Sequence, residues 1–366
     1  MSKLAEMAPS RHNDRRFRCR YVVTVGVAVA LALGAPSSAT PTSSGAHKKP
    51  FRLFSPNSVW NHPLAPDARI DPRSPEMIAG LVNEVNREES AGIGPWIQTD
   101  SYSTPLYIAR RHLRTVRVKL DDPGAPWRRS LQRAFRRVPI PPHARPAAGS
   151  DGHMTVWQPS TDKLWEFWQA RKQADGWHAS WGGAMEHVSK SPGWYTKKSW
   201  PGLSQTNWGA TATSLPVIAG TMLIRDLRAP WIRHALAVDL PAPAAGHYSW
   251  PAQRSDGSGP PNSIPEGARL RLPINLKLKP LHLPRITYLM ARAVKHRGMI
   301  VRDQTGTAVG FFAQDPVRAK VDPYYGPGGL FGGQWPNKLL AKFPWDKLQV
   351  LRMSLCSDQS RPCRKR

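Results

Sequence analysis

The apolar residues of this chain form two clear helical patterns and many short patterns typical of β-strands. Apolar side chains recur at helical spacing after a Ser-Pro-Glu start signal at Ser74, and Gly92 lies beyond the end of the pattern. A second helical face covers residues 284–297 and is followed by Gly298, a residue favoured just after a helix. These are the two helices that the sequence predicts most clearly.

Short strands account for most of the remaining pattern. Residues 116–120 and 269–272 alternate between apolar and polar side chains, and residues 155–157 and 235–238 are short runs of strand-compatible residues. The 37 prolines are spread along the chain, which limits the length of any helix. We predict a mainly β protein with a few helices, most simply an antiparallel β-sandwich or jelly roll.

Two β-hairpins follow from the positions of turn residues. Residues 299–303 and 308–312 flank a Gln-Thr-Gly-Thr turn, which predicts that these two segments pair with each other. Residues 163–169 and 177–181 flank a segment that ends in Asp175-Gly176, where glycine permits the positive φ of a tight turn. A second hairpin is therefore predicted there.

The first 39 residues have the pattern of a secretory signal peptide. Five arginines between residues 11 and 20 precede the apolar run 21–35, and the small residues Ser37 and Ala39 stand where signal peptidase cuts. An uncleaved membrane anchor is the alternative, although about 15 apolar residues are fewer than the roughly 20 that span a bilayer. We predict cleavage after Ala39, secretion, and no membrane span in the mature protein.

The mature chain is expected to fold as a single large domain. Residues 40–50 have the composition of a flexible linker, residues 51–350 form the β-rich domain, and residues 351–366 form a polar, basic tail. A division of this length into two domains is the alternative. Cys356 and Cys363 are predicted to form one local disulfide in the tail, because export exposes them to an oxidising compartment.

Positive charge favours anionic partners. The chain has 52 Lys and Arg against 25 Asp and Glu, a formal charge of +27, and loss of residues 1–39 would leave +23. The resulting field favours an acidic polysaccharide or cell-wall polymer. Nucleic acid is disfavoured by the predicted export, and because the basic residues are scattered instead of forming one stripe.

Eight of the 15 tryptophans lie between residues 151 and 208. An indole offers a flat apolar face with a polar N–H group at its edge, which suits stacking on a sugar ring at a solvent-facing site. The same side chains could instead fill a β core. Trp168, Trp177 and Trp181 are our candidates for substrate binding.

Glu166 is the first candidate catalytic residue. Strand geometry places Glu166 and Trp168 on the same face of the segment 163–169. A carboxyl beside an indole can have a raised pKa and act as the general acid of a glycoside hydrolase. In that role Asp151 or Asp256 would supply the second carboxylate, and an ordinary ion pair is the alternative for Glu166.

A lyase mechanism would use other residues. His234 or Tyr248 would abstract the proton, and Arg225 or Arg254 would neutralise a uronate. His234 and Arg225 have apolar neighbours and therefore need partners, which a site or a structural ion pair would provide. Arg254 lies on a polar loop that leads towards a strand, where binding groups are common.

The sequence predicts no metal or cofactor. Asp151 and His153 have D-x-H spacing, but two residues are fewer than a metal site requires. Phosphate-binding glycine loops, the G-x-S-x-G elbow and the H-E-x-x-H helix are all missing from the sequence.

Six strings of the sequence carry a resemblance to other proteins. They are FSPNSVWNHPL, DKLWEFWQA, LPVIAGTMLIRDLRAPWIRHALAV, SWPAQRSDG, PEGARLRL and HRGMIVRDQTG. Together they resemble a widespread, uncharacterised family of secreted bacterial proteins, and the resemblance covers most of residues 54–315. It implies a single extracellular fold and transfers no catalytic residue, because no activity is firmly attached to the family.

These observations predict a secreted protein that binds an extracellular polysaccharide at a tryptophan-rich cleft. Cleavage of that polymer, by hydrolysis or elimination, is one outcome. A non-catalytic cell-wall or adhesion module is the alternative, because aromatic residues and positive charge also suffice for binding. The sequence leaves open whether the protein is an enzyme.

Overall fold

The computed structural model describes residues 51–365 except 123, 125, 202, 204–207 and 318, and only the backbone of residues 126 and 127. The predicted signal peptide, residues 1–39, and the predicted linker, residues 40–50, lie outside the described residues. From Phe51 onward the chain forms one compact unit.

Both predicted helices are present. The first is α1 (Ser74–Ala91), which buries Met77, Ile78, Leu81 and Val85 and ends where Gly92 adopts a φ of 68°. The others are α2 (Pro126–Ala134), α3 (Ile224–Arg228), α4 (Arg285–Arg297) and α5 (Pro336–Leu340). The second predicted helix is α4, whose buried face contains the expected apolar residues.

Short strands dominate the described part of the chain, which confirms the mainly β class. The first eight strands are β1 (Trp96–Gln98), β2 (Leu106–Ile108), β3 (Val118–Leu120), β4 (Met154–Gln158), β5 (Lys163–Trp168), β6 (Arg171–Gln173), β7 (Gly176–Ala179) and β8 (Trp181–Met185). The others are β9 (Leu236–Leu240), β10 (Tyr248–Ser249), β11 (Arg269–Arg271), β12 (Met299–Gln304), β13 (Gly310–Phe312), β14 (Gln349–Val350) and β15 (Leu355–Cys356).

A six-stranded sheet with the order β1-β13-β9-β12-β11-β14 forms one core with α1, α4 and α5. A second core is built on the four-stranded sheet β2-β4-β5-β8 and the three-stranded sheet β3-β7-β6. Strands β10 and β15 form a separate ladder. Four strand pairs are parallel: β1 with β13, β9 with β12, β2 with β4, and β3 with β7. This mixed pairing departs from the purely antiparallel pairing that we expected.

The predicted hairpin between residues 299 and 312 is wrong. Strands β12 and β13 both form, but β9 lies between them, parallel to β12 and antiparallel to β13. The physical reason is that all five residues of β9 are buried, so this strand needs a hydrogen-bonded neighbour on each side.

The second predicted hairpin is correct at its turn and wrong in one of its strands. The turn before Gly176 joins β6 to β7, whereas β5 pairs with β4 and β8. Four of the six residues of β5 are buried, which is typical of a central strand. This pairing determines which tryptophans stand next to each other.

The predicted bond between Cys356 and Cys363 is present. It is compatible with an oxidising compartment. Among the helices of the described residues, none has the length and apolar character needed to cross a membrane.

Glu88 joins α1 to the six-stranded sheet from a fully buried position. Its Oε1 atom accepts a hydrogen bond of 2.8 Å from the backbone N–H of Val309, which precedes β13. Burial, together with the neighbouring Glu84, raises the pKa of Glu88 to about 8. The carboxyl group therefore stays protonated in the folded protein at pH values where an exposed glutamate is ionised.

We predict that Glu88 makes the folded protein less stable as pH rises. Between its ordinary pKa of 4.5 and about 8 the folded protein holds a proton that the unfolded chain has released, so the free energy of unfolding falls across this range. In Glu88→Gln the side chain stays neutral, and the melting temperature should fall less between about pH 6 and about pH 8. Thermal denaturation measures this, with Glu89→Gln on the same helix as control. Equal slopes for Glu88→Gln and wild type would contradict the prediction.

Candidate functional site

A cleft of about 550 Å³ opens where the four-stranded sheet meets the end of β12. We call it the acidic cleft. Its walls come from strand ends and from the loops beside them, where binding groups commonly lie. The lining residues are Arg128, Asp151, His153, Trp168, Ser180, Trp181, Ala210, Thr211, Ala212, Arg254, Ser255, Asp256, Asp303, Gln304 and Gln359.

The structure brings five of the sequence-predicted site residues together in this cleft. They are Asp151, Trp168, Trp181, Arg254 and Asp256. They come from three separate parts of the chain, and the loop and sheet contacts described below unite them.

Two tryptophans stand side by side on one wall. Trp168 and Trp181 are directly opposite each other in the antiparallel β5–β8 pair, so their side chains lie on the same face. Both indoles are half-buried, and the Nε1–H of Trp168 donates a hydrogen bond of 3.3 Å to Oδ1 of Asp151. The wall therefore offers adjacent aromatic surfaces with a carboxyl group at one edge.

Three carboxyl groups lie close together at another wall of the cleft and directly behind it. Oxygen atoms of Asp256, Glu266 and Asp303 lie within 4.8 Å of one another. Asp256 is exposed, Asp303 is half-buried at the end of β12, and Glu266 is fully buried behind them. Asp303 accepts hydrogen bonds from the backbone N–H groups of Ala212, at 3.2 and 3.3 Å, and Gln304, at 3.1 Å.

Burial and mutual repulsion keep protons in this cluster. Burial, and then the charges of Asp239 and Asp256, hold the pKa of Asp303 well above the usual range of an aspartate. Burial, and then the charge of Asp303, raise the pKa of Glu266 to about 9. Burial and repulsion thus favour the protonated forms of Asp303 and Glu266. The three oxygens are close enough for one cation, which would have to displace those protons.

Arg254 places a positive charge next to the three carboxyl groups and supports the floor of the cleft. Its Nε–H donates to Oγ of Ser214 at 2.9 Å, and Nη2–H donates to the carbonyl oxygen of Thr211 at 2.7 Å. Its guanidinium group also interacts electrostatically with Asp303, Asp256 and Glu266. The arginine thus joins the carboxyl cluster to the loop of residues 208–217.

His153 lines the same cleft as a neutral imidazole. Burial lowers its pKa to about 4, and its Nε2 atom lies 3.2 Å from the carbonyl oxygen of Ala210. A carbonyl oxygen can only accept, so we assign the proton to Nε2. Its Nδ1 atom is buried and has no hydrogen-bond partner among the described residues. No hydrogen bond among the described residues uses this lone pair.

Glu166 lies behind the floor of the cleft and binds the loop of residues 208–217. It is fully buried, and its two oxygens accept hydrogen bonds from the backbone N–H groups of Ala210, at 2.8 Å, and Val217, at 2.9 Å. Burial raises the pKa of Glu166 to about 7. Gly182 and Gly183 oppose this part of β5, and a Cβ atom on either would overlap the Glu166 backbone or the Tyr195 ring. The two glycines therefore leave room for the Glu166 carbonyl group and the Tyr195 ring.

The other sequence-predicted residues lie outside the acidic cleft. Glu166 is behind its floor, and Trp177 of β7 is buried in the core that the four-stranded and three-stranded sheets share. His234 lies 3.3 Å from Asp226, and the guanidinium of Arg225 lies over the ring of Phe51 at 4.6 Å. Tyr248 is buried, and its hydroxyl donates to the carbonyl oxygen of Asp358 at 3.2 Å. Each of these contacts supports the structural alternative for that residue.

Asp303 and Gln359 are residues of the cleft that were not among the sequence-based candidates. Asp303 is the next-to-last residue of β12, and a carboxylate near the end of a strand that begins with three apolar residues is a signal that could have identified it. Gln359 belongs to the predicted polar tail, where nothing in the local pattern distinguishes it from its neighbours.

Searches with protein-family models, among curated proteins and among solved structures found no match to this chain. The resemblance to secreted bacterial proteins therefore stays a prediction, and the function proposed below rests on the geometry of this chain.

We predict that Glu166→Gln destabilises the fold and loosens the loop of residues 208–217. Glutamine has one acceptor oxygen for two backbone N–H groups, so one of them would face an amide N–H₂ group. The cost of such an unsatisfied buried donor is about 1–3 kcal/mol. Urea denaturation measures it, and amide hydrogen exchange at Ala210 and Val217 should become faster.

Glu186→Gln is the matched control for this substitution. Glu186 is partly exposed and pairs with Lys163, and a surface pair of this kind contributes at most about 1 kcal/mol. Unchanged stability of Glu166→Gln would mean that its two hydrogen bonds do not hold the loop.

Proposed function

We propose that this protein is a secreted hydrolase that binds an extracellular polysaccharide in the acidic cleft and cleaves it. The observation that carries the proposal is the position of the Asp303 carboxyl group, whose pKa burial raises above the usual range of an aspartate: it lies close to exposed Asp256 and in the same cleft as the indole pair of Trp168 and Trp181. Glycoside hydrolysis needs one carboxyl group that donates a proton and one that is ionised.

Asp303 is the proton donor in this mechanism, and Asp256 is the second carboxylate. Their oxygens lie within 4.8 Å, close to the spacing of about 5–5.5 Å between the carboxyl groups of retaining glycosidases. Asp303 gives its proton to the glycosidic oxygen while Asp256 attacks the anomeric carbon and forms a glycosyl ester. Asp303, now ionised, takes a proton from water, which attacks that carbon, releases Asp256 and retains the configuration.

Aromatic stacking and positive charge favour an acidic polymer as substrate. Trp168 and Trp181 offer apolar surface to the C–H faces of sugar rings. Arg128 and Arg254 line the same cleft, and the whole chain carries a formal charge of +27, which attracts uronates or other acidic sugars. Secretion is part of the proposal, and the Cys356–Cys363 bond supports it.

Cleavage by elimination is a second candidate, which His153 favours. In this candidate the neutral imidazole of His153 abstracts a proton next to a uronate carboxylate through Nδ1, which is buried here and has to become accessible when substrate binds. Arg254 in the same cleft could neutralise that carboxylate. His153 replaces His234 and Tyr248 in this role because those two side chains do not reach the cleft.

A panel of neutral and acidic polysaccharides tests these proposals. Purified protein is incubated with each polymer, and the products are analysed by mass spectrometry. Products that have gained water establish a hydrolase, and unsaturated products establish a lyase. Binding without any product would contradict both and leave a cell-wall or adhesion module.

We predict that Asp303→Asn lowers the turnover of the hydrolase by about 10²–10⁴-fold, because the amide cannot donate the proton that a general acid supplies. Binding of the polymer should be retained, since asparagine has nearly the same shape. Asp346→Asn is the control, because Asp346 is an exposed aspartate that does not line the cleft. Turnover of Asp303→Asn at the wild-type level would remove Asp303 from the mechanism.

We also predict that Trp168→Ala weakens binding of the polymer. Loss of one aromatic contact worth about 0.5–1.5 kcal/mol corresponds to about a two- to twelvefold increase in Kd. Isothermal titration calorimetry with the polymer cleaved by the wild type measures this effect in the Asp303→Asn background. Trp335→Ala is the matched control, because Trp335 is 62% exposed but lies outside the cleft. Equal effects of the two substitutions would argue against an aromatic binding wall.

A further inference from the structure

The C-terminal disulfide loop reaches the acidic cleft. We give this name to residues 356–363, which the Cys356–Cys363 bond closes into a ring. Gln359 at the tip of this loop lines the cleft, and its Nε2–H donates a hydrogen bond of 3.1 Å to the carbonyl oxygen of Ser255. Ser255 is the neighbour of both Arg254 and Asp256.

Further contacts join the loop to the segment that carries Arg254 and Asp256. Gln253 pairs in both directions with the backbone of Cys363: its Nε2–H donates to the carbonyl oxygen and its Oε1 accepts from the N–H, each at 3.1 Å. Tyr248 pairs with Cys356 in the β10–β15 ladder, and its hydroxyl donates to the carbonyl oxygen of Asp358. The loop therefore supports this segment at several points.

The loop has little packing of its own apart from the two cysteines. Residues 357–362 are all exposed, whereas Cys363 is 4% exposed and packs with Tyr248 and Ala252. A segment with few buried apolar contacts opens at low free-energy cost unless a covalent bond restrains it. The disulfide is therefore a covalent restraint on the position of Gln359 that adds to the hydrogen bonds of the loop.

We propose that the disulfide loop is part of the binding site: Gln359 contacts the bound polysaccharide and positions the Ser255–Asp256 segment, and the site is complete only when the disulfide has formed. The inference rests on the proposed function of the acidic cleft, whose activity would then depend on the redox state of the compartment.

The redox step is an ordinary thiol–disulfide exchange. The thiols of Cys356 and Cys363 lose two protons and two electrons to a disulfide oxidant, which becomes a dithiol, and one S–S bond forms. Dithiothreitol supplies two electrons and two protons in the opposite direction and becomes a cyclic disulfide. The dependence can therefore be tested on one preparation of protein before and after reduction.

The first experiment requires no substrate. Amide hydrogen exchange of residues 253–257 is compared between oxidised protein, protein reduced with dithiothreitol, and the double variant Cys356→Ser/Cys363→Ser. We expect faster exchange of this segment in the last two, and unchanged exchange in the buried strand β9, which serves as internal control. Equal exchange in all three proteins would overturn the positioning role, whether or not the protein cleaves a polysaccharide.

The second experiment measures steady-state kinetics on the polymer that the wild type cleaves. Gln359→Ala should raise KM about three- to tenfold with little change in kcat, as expected when one hydrogen bond to bound substrate is lost. Gln334→Ala, an exposed glutamine outside both the cleft and the disulfide loop, is the matched control and should be unchanged. The double serine variant should raise KM at least as much as Gln359→Ala.

The decisive comparison combines these variants. Once the loop is open Gln359 no longer reaches the cleft, so Gln359→Ala should have almost no further effect in the double serine background. Its full effect in that background would overturn the proposal. If the wild type cleaves none of the polymers, the proposed function fails and the substrate contact of Gln359 fails with it, while hydrogen exchange still decides the positioning role.

Discussion

The carboxyl group of Glu166 joins the four-stranded sheet to the loop of residues 208–217, and the polar groups of the acidic cleft are arranged around that loop. Ala210 accepts from His153, Ala212 donates to Asp303, and Thr211 accepts from Arg254. The loop is held through two buried hydrogen bonds to the oxygens of Glu166. A displacement of the loop would therefore move the imidazole, the acid and the guanidinium together.

The acidic groups behind the cleft are tolerated because protons and arginines compensate them. Asp239 and Arg302 form a buried ion pair of 3.0 Å between β9 and β12, and burial raises the pKa of Asp239 to about 6. Arg254 interacts with Asp256, Glu266 and Asp303 on the cleft side. An isolated buried charge would be very costly, so this part of the fold requires both arginines and the protonated acids. The same burial raises the pKa of Asp303, which lines the cleft together with the indole pair.

The residues of the proposed mechanism come together where the four-stranded sheet meets the six-stranded sheet. Strands β5 and β8 of the four-stranded sheet supply the tryptophans, and β12 of the six-stranded sheet supplies Asp303. The C-terminal disulfide loop adds Gln359 at the rim. Substrate binding and acid–base groups thus belong to different parts of the chain, which explains why no short motif contains them together.

The sequence by itself determined the features that depend on near neighbours. These are the helices α1 and α4, most of the strands, the pairing of Cys356 with Cys363, and five of the residues that line the cleft. These features follow from the period of the apolar residues, from turn residues and from the positions of the two cysteines, all of which can be recognised over short stretches of the sequence. Only the tertiary structure decided that β9 separates β12 from β13, that Glu166 supports the loop, and that Asp303 and Gln359 reach the cleft. The physical reason is that burial, hydrogen-bond partners and pKa values are set by residues distant in sequence, such as Ala210 and Val217 for Glu166.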